Sequence, residues 1–177
     1  MLRHLPNAIT ISRGLCGPAV AALLIGPGSH IVAFAVFQVA IATDLLDGWV
    51  ARRLGAFHPA GAWLDGLADK VLTDATWIAL WWVGFAPAWL CWSMVTRDVI
   101  VLLVWVWALR AHVRWGPTAA GQTMLAFEGV SVAVLLFHGP WLDVHWPTVG
   151  TVIGGIALGL SLISLLQYAA SGPEPTA

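Results

Sequence analysis

Four aspartates stand close together in an otherwise apolar sequence. Asp44, Asp47, Asp65 and Asp69 are four of the nine acidic residues in a chain that is 59% hydrophobic and only 10% charged. The first two are three residues apart and the last two are four apart, so each pair occupies one face of a helix. Carboxylates that converge in an apolar layer cannot all stay ionised without compensation. Protonation, pairing with arginines or binding of divalent cations could supply it.

Binding of cations is the alternative that the residues favour. Arg52, Arg53 and Lys70 are close in sequence, but they are too few to neutralise four carboxylates. Oxygen-only ligands select hard cations, which indicates Mg²⁺, Mn²⁺ or Ca²⁺. Two metals about 4 Å apart would suit an in-line displacement at phosphorus. The competing interpretation, acids that cap helices or lie in loops outside the membrane, does not explain why two helical pairs lie at one depth.

Long apolar segments must position these aspartates. The mean hydropathy is +0.84, and sustained apolar segments of about 20 residues are typical of membrane-spanning helices. The sequence predicts an all-α integral membrane protein in which residues 1–170 form one transmembrane catalytic domain and residues 171–177 a flexible tail. The six predicted spans cover residues 8–26, 31–53, 60–85, 88–112, 120–138 and 148–169.

The basic residues predict the orientation of these spans. Lysine and arginine gather at one set of helix ends and are absent from the opposite loops, so both termini are expected in the cytosol. At a rise of 1.5 Å per residue, Asp44 lies about 20 Å and Asp69 about 24 Å from the outer ends of their spans. Both pairs therefore fall in the cytosolic leaflet, where lipid phosphates meet acyl chains.

The spacing of this segment resembles the signature of the CDP-alcohol phosphotransferase family, with every specified position matched. The run reads Asp44-x2-Asp47-Gly48-x2-Ala51-Arg52-x8-Gly61-x3-Asp65-x3-Asp69. The resemblance implies the fold of that family and a metal-dependent transfer of a substituted phosphate from a CDP-linked donor to an alcohol, with release of CMP. It also implies a homodimer, and an enzyme of the bacterial inner membrane whose active site faces the cytosol.

The same resemblance implies roles for the matched positions. Asp44, Asp47, Asp65 and Asp69 would bind two Mg²⁺ or Mn²⁺ ions, and Asp69 would also be the general base. The remaining matched residues would line the site of the cytidine diphosphate group, with the arginine on the phosphates: Gly48, Ala51, Arg52 and Gly61.

The N-terminal run narrows the branch of the family. Pro6-Asn7-x2-Thr10-x2-Arg13-x4-Pro18 resembles the opening of phosphatidylglycerophosphate synthases and of cardiolipin synthases that use CDP-diacylglycerol. In that interpretation Arg13 reaches toward the phosphate layer. The alternative is an ordinary helix start, with Asn7 as N-cap and Arg13 extending to the membrane interface.

Arg97 and Asp98 stand close to the middle of the fourth span, about 14 Å from its outer end. A charged residue at this depth should face a cavity or a partner, and Asp74 and Glu128 are the candidate partners by depth. Arg97 would either bind the phosphate of the acceptor or form an internal ion pair, and both interpretations stay open.

The acceptor is the least determined part of the reaction. Glycerol 3-phosphate is the first expectation, and a cardiolipin-synthase-like or other acceptor is the alternative. Gln122 stands where the glycerophosphate branch has a lysine, which weakens the case for a phosphorylated acceptor, although Arg110 or Arg114 could substitute. A small cation or proton carrier is the rival from another class, but the outer third of the chain has almost no ionisable groups. No basic patch supports nucleic-acid binding.

Four glycines in the sixth span give two overlapping small-xxx-small patterns: Gly150, Gly154, Gly155 and Gly159. Such patterns let helices approach closely. We expect this face to pack within the chain rather than between copies of it.

Overall fold

A computed structural model of the chain contains six α-helices and one short pairing of extended segments. It describes the backbone of residues 5–54, 59–111, 113–114, 118–139, 143–171 and 174–175, and the side chains of residues 12–43, 66–108, 110–111, 118–139, 143–168 and 170. In chain order the elements are α1 (Leu5–Ile25), α2 (His30–Leu54), α3 (Pro59–Trp82), α4 (Ala88–Ala111), β1 (Val113–Arg114), α5 (Ala119–Phe137), α6 (Trp146–Ser171) and β2 (Glu174–Pro175).

All six predicted helices are present, and their ends lie within three residues of the predicted ones. The third ends at Trp82 instead of residue 85 because Gly84, at φ +82°, reverses the chain. Gly84 donates its N–H to the Trp81 carbonyl, and Phe85 donates to the Leu80 carbonyl. These are the two bonds of a Schellman motif, in which glycine follows the end of a helix.

The prediction of an all-α fold is confirmed, and one short pairing of extended segments accompanies the helices. β1 pairs with β2 in antiparallel orientation, with Val113 opposite Pro175 and Arg114 opposite Glu174. This pairing joins the segment after α4 to the C-terminal tail. α6 itself runs to Ser171, so helical structure extends one residue into the segment predicted as the tail.

The chain divides into two compact units, Met1–Phe85 and Ala86–Ala177. In the first unit α1 packs against both α2 and α3. A Cβ atom built on Gly14 would lie 3.7 Å from the Cβ of Ala68, and one built on Gly17 would lie 2.8 Å from the Cα of Leu72. Because the residue number rises along both helices together, α1 and α3 are parallel. The intervening α2 therefore runs the other way, as a serpentine membrane protein requires.

In the second unit α6 packs against α5 and α4. Gly154 approaches Leu90 of α4, and Ser161 contacts Arg97 of the same helix, so α4 and α6 are parallel. Gly150 approaches Leu135 of α5, whereas Ser164 contacts Thr118. The residue number thus falls along α5 as it rises along α6, and these two helices are antiparallel.

The helices differ in how well they suit a bilayer. In the described part of the chain, three are long and apolar enough to cross a membrane: Ala88–Ala108, Ala119–Phe137 and Trp146–Tyr168. Ser12–Ile25 and His30–Thr43 are shorter apolar helices. Large apolar side chains such as Leu103, Leu162 and Leu166 are exposed, as lipid-facing residues are. The helices indicate a membrane protein, and the six spans and the cytosolic termini stay predictions.

Candidate functional site

The two halves of the aspartate motif lie on helices with unbroken backbone. Asp44 and Asp47 are on α2, and Asp65 and Asp69 are on α3. At 1.5 Å per residue, Asp44 lies about 21 Å from the start of α2 and Asp69 about 20 Å from the end of α3. The helical spacing on which the predicted metal site depends is therefore present in both halves.

Most side chains of the predicted site lie outside the part of the chain whose side chains are described. Their roles in binding metal or the cytidine diphosphate group stay predictions. The residues concerned are Asp44, Asp47, Gly48, Ala51, Arg52, Gly61, Asp65 and Arg114.

Asp69 is the motif aspartate whose side chain is described. It is half-buried, and its backbone carbonyl accepts a hydrogen bond of 2.6 Å from the hydroxyl of Thr73 in the next turn. The neighbouring Ala68 and Leu72 are buried and belong to the side of α3 that meets α1. Asp69 is thus held on a packed helix and is still partly accessible, as a residue that meets a substrate should be.

Arg13 of α1 lies at the level of the α3 aspartates. The Gly14–Ala68 and Gly17–Leu72 approaches fix the register of the two helices, and in that register Arg13 stands opposite residue 67. It is therefore midway along the axis between Asp65 and Asp69, within about 3 Å of each level. Arg13 is only 4% exposed. A buried cation at this level makes the alternative of an arginine extended to the membrane interface unfavourable.

Arg97 is held by two partners in the second unit. It forms an ion pair and hydrogen bond with the adjacent Asp98 through Nη1, and its Nε donates to the Ser161 hydroxyl of α6 at 3.1 Å. Asp98 is 3% exposed, whereas the Arg97 side chain is 15% exposed. The cation therefore compensates a buried carboxylate and still reaches an accessible surface.

The partners predicted for Arg97 by depth were Asp74 and Glu128. In the described residues its ion pair is made with Asp98 instead. Counting residues from a helix end gives the axial level of a side chain but neither its direction around the helix nor the tilt of the helix. Glu128 is buried at 2% exposure on α5.

The buried side of α6 is a row of small residues that alternate at intervals of three and four: Gly150, Gly154, Ala157, Ser161 and Ser164. The first two lie against Leu135, Ser131 and Leu90, so the predicted packing within the chain is confirmed for this half of the glycine pattern. Gly159, in contrast, has open space at its Cβ position.

Ser161 and Ser164 were not among the predicted site residues. Ser164 contacts the hydroxyl of Thr118 at 2.7 Å, and Thr118 caps α5 by accepting from the Gly121 N–H at 3.0 Å. The spacing of the small residues in the sequence was a signal that could have found both serines.

Two other residues considered for the acceptor site, Arg110 and Gln122, are exposed, unlike Arg97. Arg110 is exposed in the last turn of α4, and Gln122 is exposed in the first turns of α5. Among the described residues, neither has a partner that would orient it in the way that Asp98 and Ser161 orient Arg97.

The sequence model of the CDP-alcohol phosphatidyltransferase family matches residues 3–165. The chain belongs to this family. The family assignment confirms the resemblance that was drawn from the aspartate motif, and with it the class of enzyme, a phosphatidyltransferase of phospholipid biosynthesis.

Two bacterial relatives are similar over nearly the whole chain, and a third relative over about half of it. A protein of Pseudomonas fluorescens named "CDP-diacylglycerol--glycerol-3-phosphate 3-phosphatidyltransferase" is 34% identical over 93% of this chain and 88% of its own length. A "Probable phosphatidylglycerophosphate synthase" of Mycobacterium tuberculosis is 30% identical over 96% of this chain and 81% of its own length. A "Probable cardiolipin synthase (CMP-forming)" of Drosophila melanogaster is 35% identical, over 55% of this chain and 30% of that protein.

Proposed function

We propose that this chain transfers the phosphatidyl group of CDP-diacylglycerol to glycerol 3-phosphate and releases CMP. The observation that carries the proposal is the similarity, over more than nine-tenths of the chain, to two bacterial relatives whose names give this reaction. The cardiolipin-synthase relative supports a different acceptor less well, because it aligns with little more than half of the chain.

The donor set on α2 and α3 suits a divalent metal. The motif contributes four carboxylates from unbroken helices, and carboxylate oxygens are the ligands that Mg²⁺ and Mn²⁺ prefer. Asp44, Asp47, Asp65 and Asp69 would hold two such ions. When bound, the ions would spread the negative charge of the diphosphate and so make CMP a better leaving group.

The residues of the chain itself would carry the remaining steps. Asp69 would accept the proton of the attacking hydroxyl, which a carboxylate in a partly dry site can do within hydrogen-bond reach. Arg52 would bind the diphosphate, with Gly48, Ala51 and Gly61 beside the nucleotide. Arg13, at the level of Asp65 and Asp69, would add positive charge where the phosphates are expected.

Arg97 is the best candidate for the residue that binds the phosphate of the acceptor. A guanidinium has five N–H groups, and Asp98 and Ser161 engage two of them. The other three have no hydrogen-bond partner among the described residues. A planar guanidinium with free N–H groups suits the oxygens of a phosphate monoester. Arg97 would thereby supply the cation that Gln122 does not.

The membrane setting of this reaction is part of the proposal. Both termini and the active site would face the cytosol of a bacterium, with the protein in its inner membrane and assembled as a homodimer. The parallel orientation of α1 and α3, and of α4 and α6, supports a serpentine path of the chain through the bilayer.

Release of CMP by the purified protein tests the proposal. The protein would be incubated with CDP-diacylglycerol and Mg²⁺ or Mn²⁺, and with glycerol 3-phosphate, phosphatidylglycerol, inositol phosphate or serine in separate reactions. We expect CMP release with glycerol 3-phosphate and none after chelation of the metal. Turnover with only one of the other acceptors would show that glycerol 3-phosphate is not the acceptor. Full activity in the presence of chelator would overturn the proposed metal site.

A further inference from the structure

Arg97 is held at two points that belong to different helices. Asp98, on the same helix, engages Nη1, and Ser161, 64 residues further along the chain, accepts the Nε–H at 3.1 Å. One contact would let the guanidinium turn about it, whereas two contacts to neighbouring nitrogen atoms fix the plane of the group. The direction of the remaining N–H groups is therefore set by α6 as well as by α4.

The contact between Arg97 and Ser161 depends on a change from apolar to hydroxyl side chains along the buried row of α6. At Gly150, Gly154 and Ala157 the row has no polar side chain, and from Ser161 onward it carries hydroxyls. In the parallel register that pairs Gly154 with Leu90, residue 161 stands opposite residue 97. Ser161, the first serine of the row, is thus at the level of Arg97. The residue is only 1% exposed.

From this geometry we infer that Ser161 is a positioning residue for the acceptor site, which acts by fixing the guanidinium of Arg97. The inference deepens the proposed function and rests on it. Ser161 fixes the plane of the group, Asp98 holds it in place, and the three N–H groups that remain can donate to anionic oxygen acceptors such as those of a phosphate monoester. A hydroxyl suits this role because it accepts the Nε–H without adding a second negative charge.

The test compares two buried serines of the same helix. Ser161→Ala removes the acceptor of the Arg97 Nε–H, whereas Ser164→Ala removes a hydroxyl that contacts Thr118. We expect Ser161→Ala to raise the KM for glycerol 3-phosphate about five- to tenfold, as expected when a charged hydrogen bond is lost or misdirected. The KM for CDP-diacylglycerol and kcat should change less than about twofold, and Ser164→Ala should leave both KM values as in the wild type.

Repeating Ser161→Ala in an Arg97→Lys protein distinguishes a positioning role of Ser161 from a general loss of stability. Lysine has no group equivalent to Nε–H, so Ser161→Ala should raise the acceptor KM little further in an Arg97→Lys protein. The thermal midpoint of each variant in detergent would be measured alongside. An unchanged acceptor KM in Ser161→Ala, or an equal rise in the Arg97→Lys background, would overturn the positioning role alone. A wild-type protein that releases no CMP with any acceptor would overturn the proposed function and this inference together.

Discussion

Gly17 is a point of close approach between α1 and α3, and Gly17→Ala is the sharpest test of how the helices position the site. A Cβ at this position would lie 2.7 Å from the carbonyl oxygen of Val71 and 2.8 Å from the Cα of Leu72. Non-bonded carbon atoms need about 3.5 to 4.0 Å, so the two helices would have to separate by about 1 Å. Both obstructing atoms belong to the backbone, and no side-chain rotation can relieve the contact.

The expected effect follows from this overlap. Overpacking of this kind costs about 1 to 3 kcal/mol, and the gain from replacing a helical glycine by alanine offsets at most about 1 kcal/mol. We therefore expect a net loss of up to about 2 kcal/mol, which corresponds to a fall in the thermal midpoint of up to about 8 °C for a chain of this length. Because the displacement moves Arg13 relative to Asp65 and Asp69, kcat for CMP release should fall by at least about tenfold.

Gly14→Ala is the matched control, one turn away on the same helix. Its added Cβ would meet Ala68 at 3.7 and 3.9 Å, which is ordinary contact, so stability should be unchanged or slightly higher. Both variants would be compared by thermal unfolding in detergent and by CMP release. If Gly17→Ala matched Gly14→Ala in both measurements, the close approach of α1 and α3 would not position the site.

Three further changes give distinct expected outcomes. Asp69→Asn should abolish CMP release with little change in the thermal midpoint, because the proposed proton acceptor is lost. Asp143→Asn, in an exposed loop at φ 50°, should behave as wild type. Turnover near normal in Asp69→Asn would exclude the catalytic role. Thr118→Ala should destabilise the protein by about 1 to 2 kcal/mol because α5 loses its N-cap. Thr123→Ala, whose hydroxyl bonds only within its own helix in the described residues, should change stability much less. Equal effects of the two substitutions would contradict the capping role of Thr118. Chelation should stop CMP release and added Mg²⁺ or Mn²⁺ should restore it, and activity that persists in chelator would contradict the metal site.

The sequence was sufficient to predict the helices because apolar runs and turn residues mark their ends. Two of the segments that connect predicted spans, residues 26–30 and 114–118, contain glycine and proline. The helices that follow them begin at His30 and Ala119. The end of α3 was predicted three residues too late, because the prediction followed the apolar run through Phe85. Gly84 was the signal for the earlier end, since a glycine after a helix commonly adopts positive φ.

The site was predictable where spacing along one helix determines it and not where two helices must meet. The pairs Asp44 and Asp47, and Asp65 and Asp69, depend only on helical periodicity, and the backbone there is helical. The contact of Arg97 with Ser161 depends on how α4 and α6 face each other. One serine does not interrupt the apolar character of α6, so Ser161 did not stand out.

The two interpretations of Arg97, a residue that binds the acceptor and a structural ion pair, are compatible with each other. Asp98 is buried and forms an ion pair with Arg97, and breaking a buried ion pair by removing one partner is destabilising. Arg97→Ala would therefore lower stability whether or not the arginine also binds substrate, and it cannot distinguish the two roles. Arg97→Lys retains a cation that can remain near Asp98 but loses the contact to Ser161 and the planar set of donors. If the arginine has only a structural role, this variant should keep the acceptor KM of the wild type, whereas a rise in that KM at nearly constant stability would mean that one guanidinium serves both the fold and the substrate.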